Sequence, residues 1–309
     1  MKLVALLVSA AVSIIVISSV LVPVIDNADH DLSITDVIIV DGQSNAEDWR
    51  SFSTTINTEY TETPAEDLYY YGSNDSVTHY NDNQTAIDQY GLHPMYSNGS
   101  WVVGGYAAPL CNGYAQKNGH DVCYINIGYS GQSITALEPS GAVGAWGFKI
   151  VSDALTVIKN TYDLVNIIGW IWIQGEADKD MSIDTYTEDF ELIQSKFKTY
   201  GADDCYIVHT REYYGGNATI AQQQIADSDD DVEMTCMFTE DFTVEGGELF
   251  ADGPIHYTQK GRILIAAGLV DAIPRSTVDG YNFEILNIIP LFAIIAVLLA
   301  VVFFVVRRE

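Results

Sequence analysis

The segment Val37-Ile-Ile-Val-Asp-Gly-Gln-Ser-Asn45 decides the fold of this 309-residue chain. Its first four residues are apolar and β-branched, which is typical of a strand buried on both faces of a parallel sheet. Asp41 and Gly42 end the run and indicate a turn. Ser44 follows in that turn, where its hydroxyl would be presented at the end of the strand. For Ser44 alone, a simple turn or helix N-cap is the stronger interpretation.

Strand-like and helix-like stretches alternate along the rest of the central chain. The predicted strands are residues 37–40, 122–127, 167–173, 205–209 and 233–238, and the predicted helices are 146–159, 183–200, 219–226 and 258–273. This alternation predicts an α/β fold with a doubly wound, flavodoxin-like parallel sheet in a three-layer sandwich. Residues 46–100 are rich in Thr, Tyr, Asn and Asp and are expected to form a long loop region.

Composition excludes several classes of function. The chain has 42 acidic and 14 basic residues and a net charge of −28, so it repels phosphate backbones and no nucleic-acid partner is expected. Neither GxxxxGK[ST] nor GxGxxG occurs, so a P-loop or dinucleotide enzyme is not supported. Hydrophobic residues make up 48% of the chain, which argues against disorder.

Apolar segments occur near both ends of the chain. Residues 3–24 follow Lys2, and residues 285–306 are long enough to span a bilayer and precede Arg307 and Arg308. We therefore expect a signal peptide or signal anchor at 1–25, a folded domain at 30–280, a transmembrane helix at 285–306 and a short cytoplasmic tail at 307–309. The charges place the domain outside the cell or in a lumen, with one membrane pass if the first segment is cleaved and two if it persists.

Two further features are compatible with an oxidising compartment. Four cysteines are an even number, and a Cys111–Cys123 disulfide is the preferred pairing. The Asn-x-Ser/Thr pattern predicts N-glycosylation, although so short a pattern also arises by chance. The sequons lie at Asn74, Asn83, Asn98 and Asn217.

Three later segments place polar residues at or beyond predicted strands. Gly131 belongs to a glycine-rich loop whose backbone N–H groups could approach a ligand oxygen. Gln174 ends an apolar strand and carries an amide that could donate to a developing oxyanion. Asp252 and His256 share a short segment, where a carboxylate can fix the tautomer of a general base. Each has a structural alternative, but their order along the chain with Ser44 is hard to obtain by chance.

Together these motifs resemble the SGNH (GDSL-like) hydrolases. The closest branch is the carbohydrate-esterase branch that holds sialate O-acetylesterases and acetylxylan esterases. The resemblance spans about residues 36–273 and rests on four motifs. They are Gly42-Gln-Ser-Asn45, Gly131-Gln-Ser-Ile134, Trp172-Ile-Gln-Gly-Glu-Ala-Asp178 and Asp252-Gly-Pro-Ile-His-Tyr-Thr-Gln-Lys-Gly261.

The resemblance implies a role for each matched residue. Ser44 would be the nucleophile and His256 the general base, with Asp252 orienting His256. An oxyanion hole would consist of the Ser44 and Gly131 N–H groups and the Gln174 side chain. The implied supporting residues are Gly42, Gln43, Asn45 and Glu176, and Asp178 would brace the same loop as Glu176. Members of this family need no metal or organic cofactor.

The sequence departs from the family pattern at three points. Ala46 replaces the common Met after the first motif, which we expect to open space beside the nucleophile. Ser130 replaces the first glycine of the second motif. Asp252 lies four residues before His256 rather than three, an extra residue that a bulge at Gly253-Pro254 could absorb. If Asp252 points away, a Ser-His dyad or another acid would act, and the upstream candidates are Glu248 and Asp241.

The resulting expectation is a serine esterase that removes O-acetyl groups from carbohydrate through an acetyl-enzyme. Sialate and xylan-type sugars both remain open. Arg50 and Arg211 are candidate cations for an anionic sugar, whereas the net charge favours a neutral one. Two alternatives remain: a catalytically inactive glycan-binding ectodomain of the same fold, and an esterase for another acyl ester. The oligomeric state is left open.

Overall fold

The computed structural model describes residues 34–46, 68–72, 93–94, 106–119, 121–251 and 253–276. The strands are β1 (Ile34–Gly42), β2 (Leu68–Gly72), β3 (His93–Pro94), β4 (Asp121–Asn126), β5 (Leu164–Ile173), β6 (Cys205–Val208), β7 (Val232–Thr235), β8 (Leu249–Phe250) and β9 (Gly253–Tyr257). The α-helices are α1 (Ala107–Asn118), α2 (Ile134–Leu137), α3 (Gly144–Thr161), α4 (Ile183–Lys198), α5 (Glu212–Gly215), α6 (Asn217–Ser228) and α7 (Gln259–Ala272).

The main sheet has seven strands among the described residues, in the order β3-β2-β4-β1-β5-β6-β7. All neighbouring pairs are parallel except β2 with the short edge strand β3. The five strands β4-β1-β5-β6-β7 follow the flavodoxin-like order 2-1-3-4-5, so the predicted α/β fold is confirmed. The order reverses at β1, which lies between β4 and β5. Open sheets of this kind bind ligands in the crevice at the carboxyl ends of those strands.

Helices cover both faces of the sheet and create two cores. On one face, Trp170 of β5 stacks on Phe197 of α4 at a ring-centroid distance of 4.4 Å, and Phe148 of α3 packs against Phe197. On the other face, residues such as Leu110 of α1 and Leu269 of α7 lie in the second core. Both faces of β1 and β5 are therefore buried, which explains why their sequences are nearly continuous apolar runs.

Some local predictions were wrong. The predicted loop region at 46–100 contains β2 and β3. The strand predicted at 233–238 ends at Thr235, and Met237–Asp241 forms a 3-10 turn after Cys236, which has a left-handed φ of 56°. A short apolar run has no periodicity that distinguishes a strand from the turn that follows it, so the boundary depends on tertiary contacts.

The predicted Cys111–Cys123 disulfide is wrong. All four cysteines lie among the described residues, are buried and form no disulfide. Cys111 belongs to α1 on one face of the sheet, whereas Cys123 of β4 points into the core on the opposite face. The sheet itself therefore separates the two sulfur atoms, and closeness along the chain could not reveal which face each one joins.

The predicted membrane segments remain predictions. No helix in the described ranges is long and apolar enough to cross a membrane. The two apolar segments, 3–24 and 285–306, lie outside those ranges, as do Arg50 and the sequons at Asn74, Asn83 and Asn98. Asn217 is described and lies exposed at the start of α6.

Asp41 is the last side chain of β1 before its glycine and is almost fully buried. Burial raises the pKa of its carboxyl from 3.8 to about 8, although the Gly42 N–H donates to it at 2.7 Å and opposes the shift. Between those two pH values the folded protein binds a proton that the unfolded chain does not. The protonated Asp41 carboxyl therefore contributes to the stability of the folded protein at low pH, and this contribution is lost as pH rises toward 8.

We predict that Asp41→Asn flattens this pH dependence, because an amide keeps the acceptor for Gly42 and has no charge to bury. One pKa unit corresponds to about 1.4 kcal/mol, and about 1 kcal/mol moves the melting temperature of a domain of this size by roughly 2–4 °C. The difference in melting temperature between the variant and wild type should be larger at pH 8 than at pH 5, by about 5 °C or more. Asp153→Asn, at a partly exposed position on α3, serves as a control. A gain independent of pH would contradict the prediction.

Candidate active site

The turn after β1 places Ser44 at the carboxyl edge of the sheet. Gly42 has a φ of 140°, and a Cβ atom there would lie 2.1 Å from the carbonyl oxygen of Ile173 on β5. Only glycine therefore fits at this position. The Gln43 N–H donates to that Ile173 carbonyl at 3.0 Å and fixes the start of the turn to the neighbouring strand. Ser44 itself is largely buried, with 8% of its surface exposed.

His256 reaches Ser44 from the hairpin of β8 and β9, here called the His256 hairpin (residues 249–257). Its Nε2 atom lies 3.0 Å from Ser44 Oγ. Leu249 pairs with Tyr257 and Phe250 pairs with Gly253, so three residues of β9, including His256, have no counterpart on β8. This bulge re-aims His256 toward Ser44. The structure brings the predicted pair together. The bulge covers residues 254–256, whereas the sequence placed it at Gly253-Pro254, and Gly253 is paired with Phe250.

The Asn45 side chain holds the turn after β1 against the His256 hairpin. This turn (residues 42–46) is here called the nucleophile turn, after the role predicted for Ser44. Its Nδ2 atom donates to the carbonyl of Ile255 at 2.9 Å, and its Oδ1 atom accepts the N–H of Tyr257 at 3.2 Å. These partners flank His256 on either side. The amide of Asn45 thus pairs with the β9 backbone as a peptide group of a neighbouring strand would. This pairing sets the separation of Ser44 and His256.

Glu176 ties the same turn to the loop after β5. Its two carboxylate oxygens accept hydrogen bonds from Asn45 Nδ2 at 2.6 Å and Gln43 Nε2 at 2.5 Å. Gln43 Oε1 in turn accepts the N–H of Ala177 at 3.1 Å. Burial raises the pKa of the Glu176 carboxyl, and the two amide donors oppose that shift. The predicted supporting residues Gln43, Asn45 and Glu176 therefore form one connected network.

Gln174 occupies a fully buried position at the end of β5. Its Nε2 atom donates to Asp178, and its Oε1 atom accepts from the Tyr186 hydroxyl at 2.8 Å. Asp178 also accepts the N–H of Ile134 at 2.7 Å, which links the third motif to the second. In this arrangement Gln174 braces the loops beneath the site. Its predicted donation to an oxyanion stays a prediction.

The connection after β4 (residues 126–133), here called the second loop, contacts the nucleophile turn. The contact is made by two residues that sequence analysis missed. Asn126 at the end of β4 donates to the Ala46 carbonyl at 2.8 Å and accepts the Gly128 N–H at 2.9 Å. A Cβ atom on Gly128 would lie 2.7 Å from the Cβ of Ala46. The space expected beside Ala46 is therefore filled by this loop. Gly131 lies farther along, exposed in a turn with a φ of 72°.

Asp252, the predicted acid, lies outside the described residues, between β8 and β9. Among the alternatives, the Glu248 carboxylate pairs with Lys260 and accepts the N–H of Thr243. Asp241 is exposed at the end of a 3-10 turn. The partners of Glu248 occupy its carboxylate, which leaves Asp252 the better candidate on sequence grounds.

Arg211, which the sequence offered as a candidate cation, borders the His256 hairpin. Its Nη1 atom donates to the carbonyl of Pro254 at 3.3 Å, and its guanidinium lies over the Tyr214 ring at 5.2 Å. Tyr214 was not singled out from the sequence. The signal that could have found it is the polar and aromatic stretch that follows β6, since β6 ends at the same edge as β1.

The overall structure resembles several solved structures. A protein from Arabidopsis thaliana matches with a TM-score of 0.54 and 14% identity, over 77% of this chain and 97% of that one. The protein NanS matches with a TM-score of 0.52 and 15% identity, over 78% and 97%. A carbohydrate acetylesterase from Xanthomonas citri matches with a TM-score of 0.50 and 13% identity, over 77% and 56%.

At such identities the likeness shows the fold alone. The predicted resemblance to SGNH hydrolases is consistent with it, and one of the proteins that share the fold is a carbohydrate acetylesterase. No protein-family model matches the sequence, and the comparison with curated proteins found no match.

The Asn45–Glu176 contact can be tested by its coupling energy. Asn45→Asp should lower the free energy of unfolding by about 1–3 kcal/mol, because the carbonyl of Ile255 loses its donor and two carboxylates then face each other. Adding Glu176→Gln should recover part of this loss, since an amide would again face a carboxylate. Denaturant unfolding of the four proteins of this double-mutant cycle measures the coupling. Additive effects of the two substitutions would contradict the assigned contact.

Proposed function

We propose that this protein is a serine esterase that removes O-acetyl groups from carbohydrates. The observation that carries the proposal is the 3.0 Å contact between Ser44 Oγ and His256 Nε2 at the carboxyl edge of an α/β sheet. In a nucleophile–base pair of this geometry, the imidazole removes the hydroxyl proton as the oxygen attacks. The fold shared with a carbohydrate acetylesterase supports acetylated sugar as the substrate.

The proposed reaction has two stages. Ser44 Oγ attacks the acetyl carbonyl, and His256 accepts its proton and then protonates the leaving sugar oxygen. Water, deprotonated by His256, hydrolyses the acetyl-enzyme and releases acetate. The Ser44 and Gly131 N–H groups and the Gln174 amide are the proposed donors to the oxyanion, and Asp252 is the proposed partner of the second imidazole nitrogen. The reaction as proposed requires no cofactor.

Hydrolysis of three substrates tests this function directly. The purified full chain should release acetate from 4-nitrophenyl acetate and from either acetylated sialosides or acetylated xylo-oligosaccharides. Binding of acetylated sugars without turnover from pH 5 to pH 9 would indicate the glycan-binding alternative. A rate that increases with the acyl chain length of nitrophenyl esters would indicate a different acyl ester as substrate.

We also propose that the enzyme is membrane-anchored, with its catalytic domain outside the cell or in a lumen. The described chain enters the sheet at Ile34, at the amino end of β1. Ser276 near the end of the described chain lies at the same edge, because Asn166 near the start of β5 donates to its hydroxyl at 3.0 Å. Ser44 and His256 occupy the opposite edge. Protease accessibility of the domain on intact cells or vesicles tests this placement.

The role of Gln174 can be separated from its structural role by kinetics. Gln174→Ala should lower kcat by about 10²–10³ if the amide donates to the oxyanion. Because the substitution also removes one hydrogen-bond partner from Asp178 and one from the Tyr186 hydroxyl, the rate must be measured well below the melting temperature of the variant. Ser44→Ala, which has no nucleophile, sets the background rate. A loss below about threefold would show that Gln174 only braces the loops.

Asp252→Asn should keep the fold but favour the wrong tautomer of His256, with a loss of rate that approaches about 10⁴. Glu248→Gln and Asp241→Asn are the matched controls, because each neutralises one of the other upstream acids. We expect both controls to retain most of the activity. A near-wild-type rate for Asp252→Asn, with inactive Ser44→Ala and His256→Ala, would refute the triad and assign the reaction to a dyad or to another acid.

A further inference from the structure

The Gln174 amide is held on one side by two fully buried side chains from different helices. They are Tyr186 of α4 and Gln222 of α6. The Tyr186 hydroxyl lies 2.8 Å from Gln174 Oε1. Gln222 Nε2 lies 2.6 Å from the backbone carbonyl oxygen of Gln174 and 2.6 Å from the Tyr186 hydroxyl. Tyr186 and Gln222 are together called the amide clamp.

The partners of the clamp determine which atom of the Gln174 amide is the nitrogen. The Trp172 indole can only donate, and it donates to the Tyr186 hydroxyl at 3.1 Å. The backbone carbonyl of Gln174 can only accept, so the Gln222 atom beside it is the nitrogen, which also donates to the hydroxyl. The Tyr186 oxygen then accepts two hydrogen bonds, and its own hydrogen is left for Gln174 Oε1. The clamp therefore binds the amide oxygen and turns the amide nitrogen to the opposite side.

On that opposite side, the Gln174 nitrogen faces the loops of the site. One of its N–H groups donates to Asp178. The second faces Gln43 Oε1 at 3.5 Å, and this oxygen already accepts the N–H of Ala177 at 3.1 Å. Gln43 immediately precedes Ser44, so a weakly bonded N–H points toward the nucleophile turn. A reversed amide would direct a carbonyl oxygen there, which would repel an oxyanion instead of stabilising it.

The clamp contains a feature that opposes stability. Gln222 Oε1 is buried and has no hydrogen-bond partner within the described ranges. An unsatisfied buried acceptor destabilises the folded state, so its presence in a native protein calls for an explanation. The backbone carbonyl of Gln174 does not depend on Gln222, because the Thr210 hydroxyl also donates to it, at 2.9 Å. Control over the orientation of the Gln174 amide provides the explanation.

We propose that Tyr186 and Gln222 are positioning residues that fix the Gln174 amide with an N–H, and not its carbonyl oxygen, toward the oxyanion. The proposal rests on the proposed esterase function and on Gln174 as a donor in it. Both clamp residues are fully buried, so they influence the rate through Gln174 alone. This dependence distinguishes them from residues that only stabilise the fold.

The kinetics of Tyr186→Phe test the clamp in the full chain. Without the hydroxyl, the Gln174 oxygen loses its donor and the amide is free to turn. We expect kcat for 4-nitrophenyl acetate to fall about tenfold, with KM within about twofold of wild type, which is a smaller loss than removal of the donor itself. An unchanged kcat in Tyr186→Phe would overturn the proposal.

Tyr114→Phe is the matched control for this substitution. Tyr114 is also fully buried, and its hydroxyl donates to the carbonyl of Pro274 at 2.8 Å. Pro274 lies two residues before Ser276, at the edge of the sheet opposite to Ser44. The control therefore loses a comparable hydrogen bond, and its kcat should stay within about twofold of wild type.

Gln222→Met separates the rate from stability and replaces the first test if Tyr186→Phe does not fold. Methionine has a similar length, and it removes the unsatisfied oxygen together with the nitrogen of the clamp. The denaturant midpoint of unfolding should therefore stay close to that of wild type, whereas kcat should fall about threefold or more. Gln194→Met is the control, because the buried Gln194 amide donates to Asp229, ahead of β7, at 2.9 Å. A wild-type kcat in Gln222→Met would overturn the proposal.

Combination with Gln174→Ala shows whether the clamp acts through this amide. In the Gln174→Ala background, Tyr186→Phe and Gln222→Met should each change kcat by less than about twofold, although each lowers it in the wild-type background. Losses that multiply in full in the double variants would overturn the proposal, since a purely structural effect does not require Gln174.

Inhibition by 1,1,1-trifluoroacetone reports on the oxyanion itself. Ser44 Oγ adds to the ketone carbon, its proton passes to His256, and the carbonyl oxygen becomes the oxyanion of a hemiketal. Tyr186→Phe should weaken this inhibition about tenfold, in step with kcat, and Tyr114→Phe should leave it unchanged. Undiminished inhibition of Tyr186→Phe would overturn the proposal.

Turnover by the wild-type chain distinguishes the clamp from the proposed function. Failure of wild type to hydrolyse 4-nitrophenyl acetate and every acetylated sugar would refute the esterase function and, with it, the role of the clamp. An active wild type whose clamp variants keep their kcat would retain the esterase function and refute the clamp alone.

Discussion

The amide of Asn45 is the interaction on which the site depends. It pairs with the backbone of β9 on either side of His256 and donates to Glu176, so one side chain joins the nucleophile turn, the His256 hairpin and the loop after β5. A short amide has few rotamers and makes these contacts at little cost in entropy. Ser44 and His256 are held together by this frame rather than by their own contact.

Buried carboxyls that are hydrogen-bonded to amide groups support the loops of the site. Glu176 is held by Gln43 and Asn45, and Asp178 by Gln174 and the N–H of Ile134. Burial raises the pKa of both carboxyls. Amide donors satisfy a carboxyl without introducing the desolvation cost of a second buried charge.

The topology of the sheet explains why the loops meet. The reversal of strand order at β1 leaves a crevice between the connections that follow β4 and β5. Gly42 permits the close approach of the nucleophile turn to Ile173, and Gly128 permits that of the second loop to Ala46. The absence of a side chain at these two glycines is therefore a structural requirement of the site.

The sequence by itself determined the fold class and the main strands, and it singled out Ser44 and His256, which the structure brings into contact. Buried parallel strands must be continuous apolar runs, and polar residues after such runs must gather at one edge. Tertiary structure alone decided which face each side chain joins. Cys111 and Cys123 are close in sequence, yet the sheet separates them. The Gln174 amide turns to Asp178, whose carboxylate also accepts the N–H of Ile134 at the start of the distant helix α2. The bulge that aims His256 likewise depends on the pairing of β8 with β9, since its register is fixed by contacts between strands and not by local propensity.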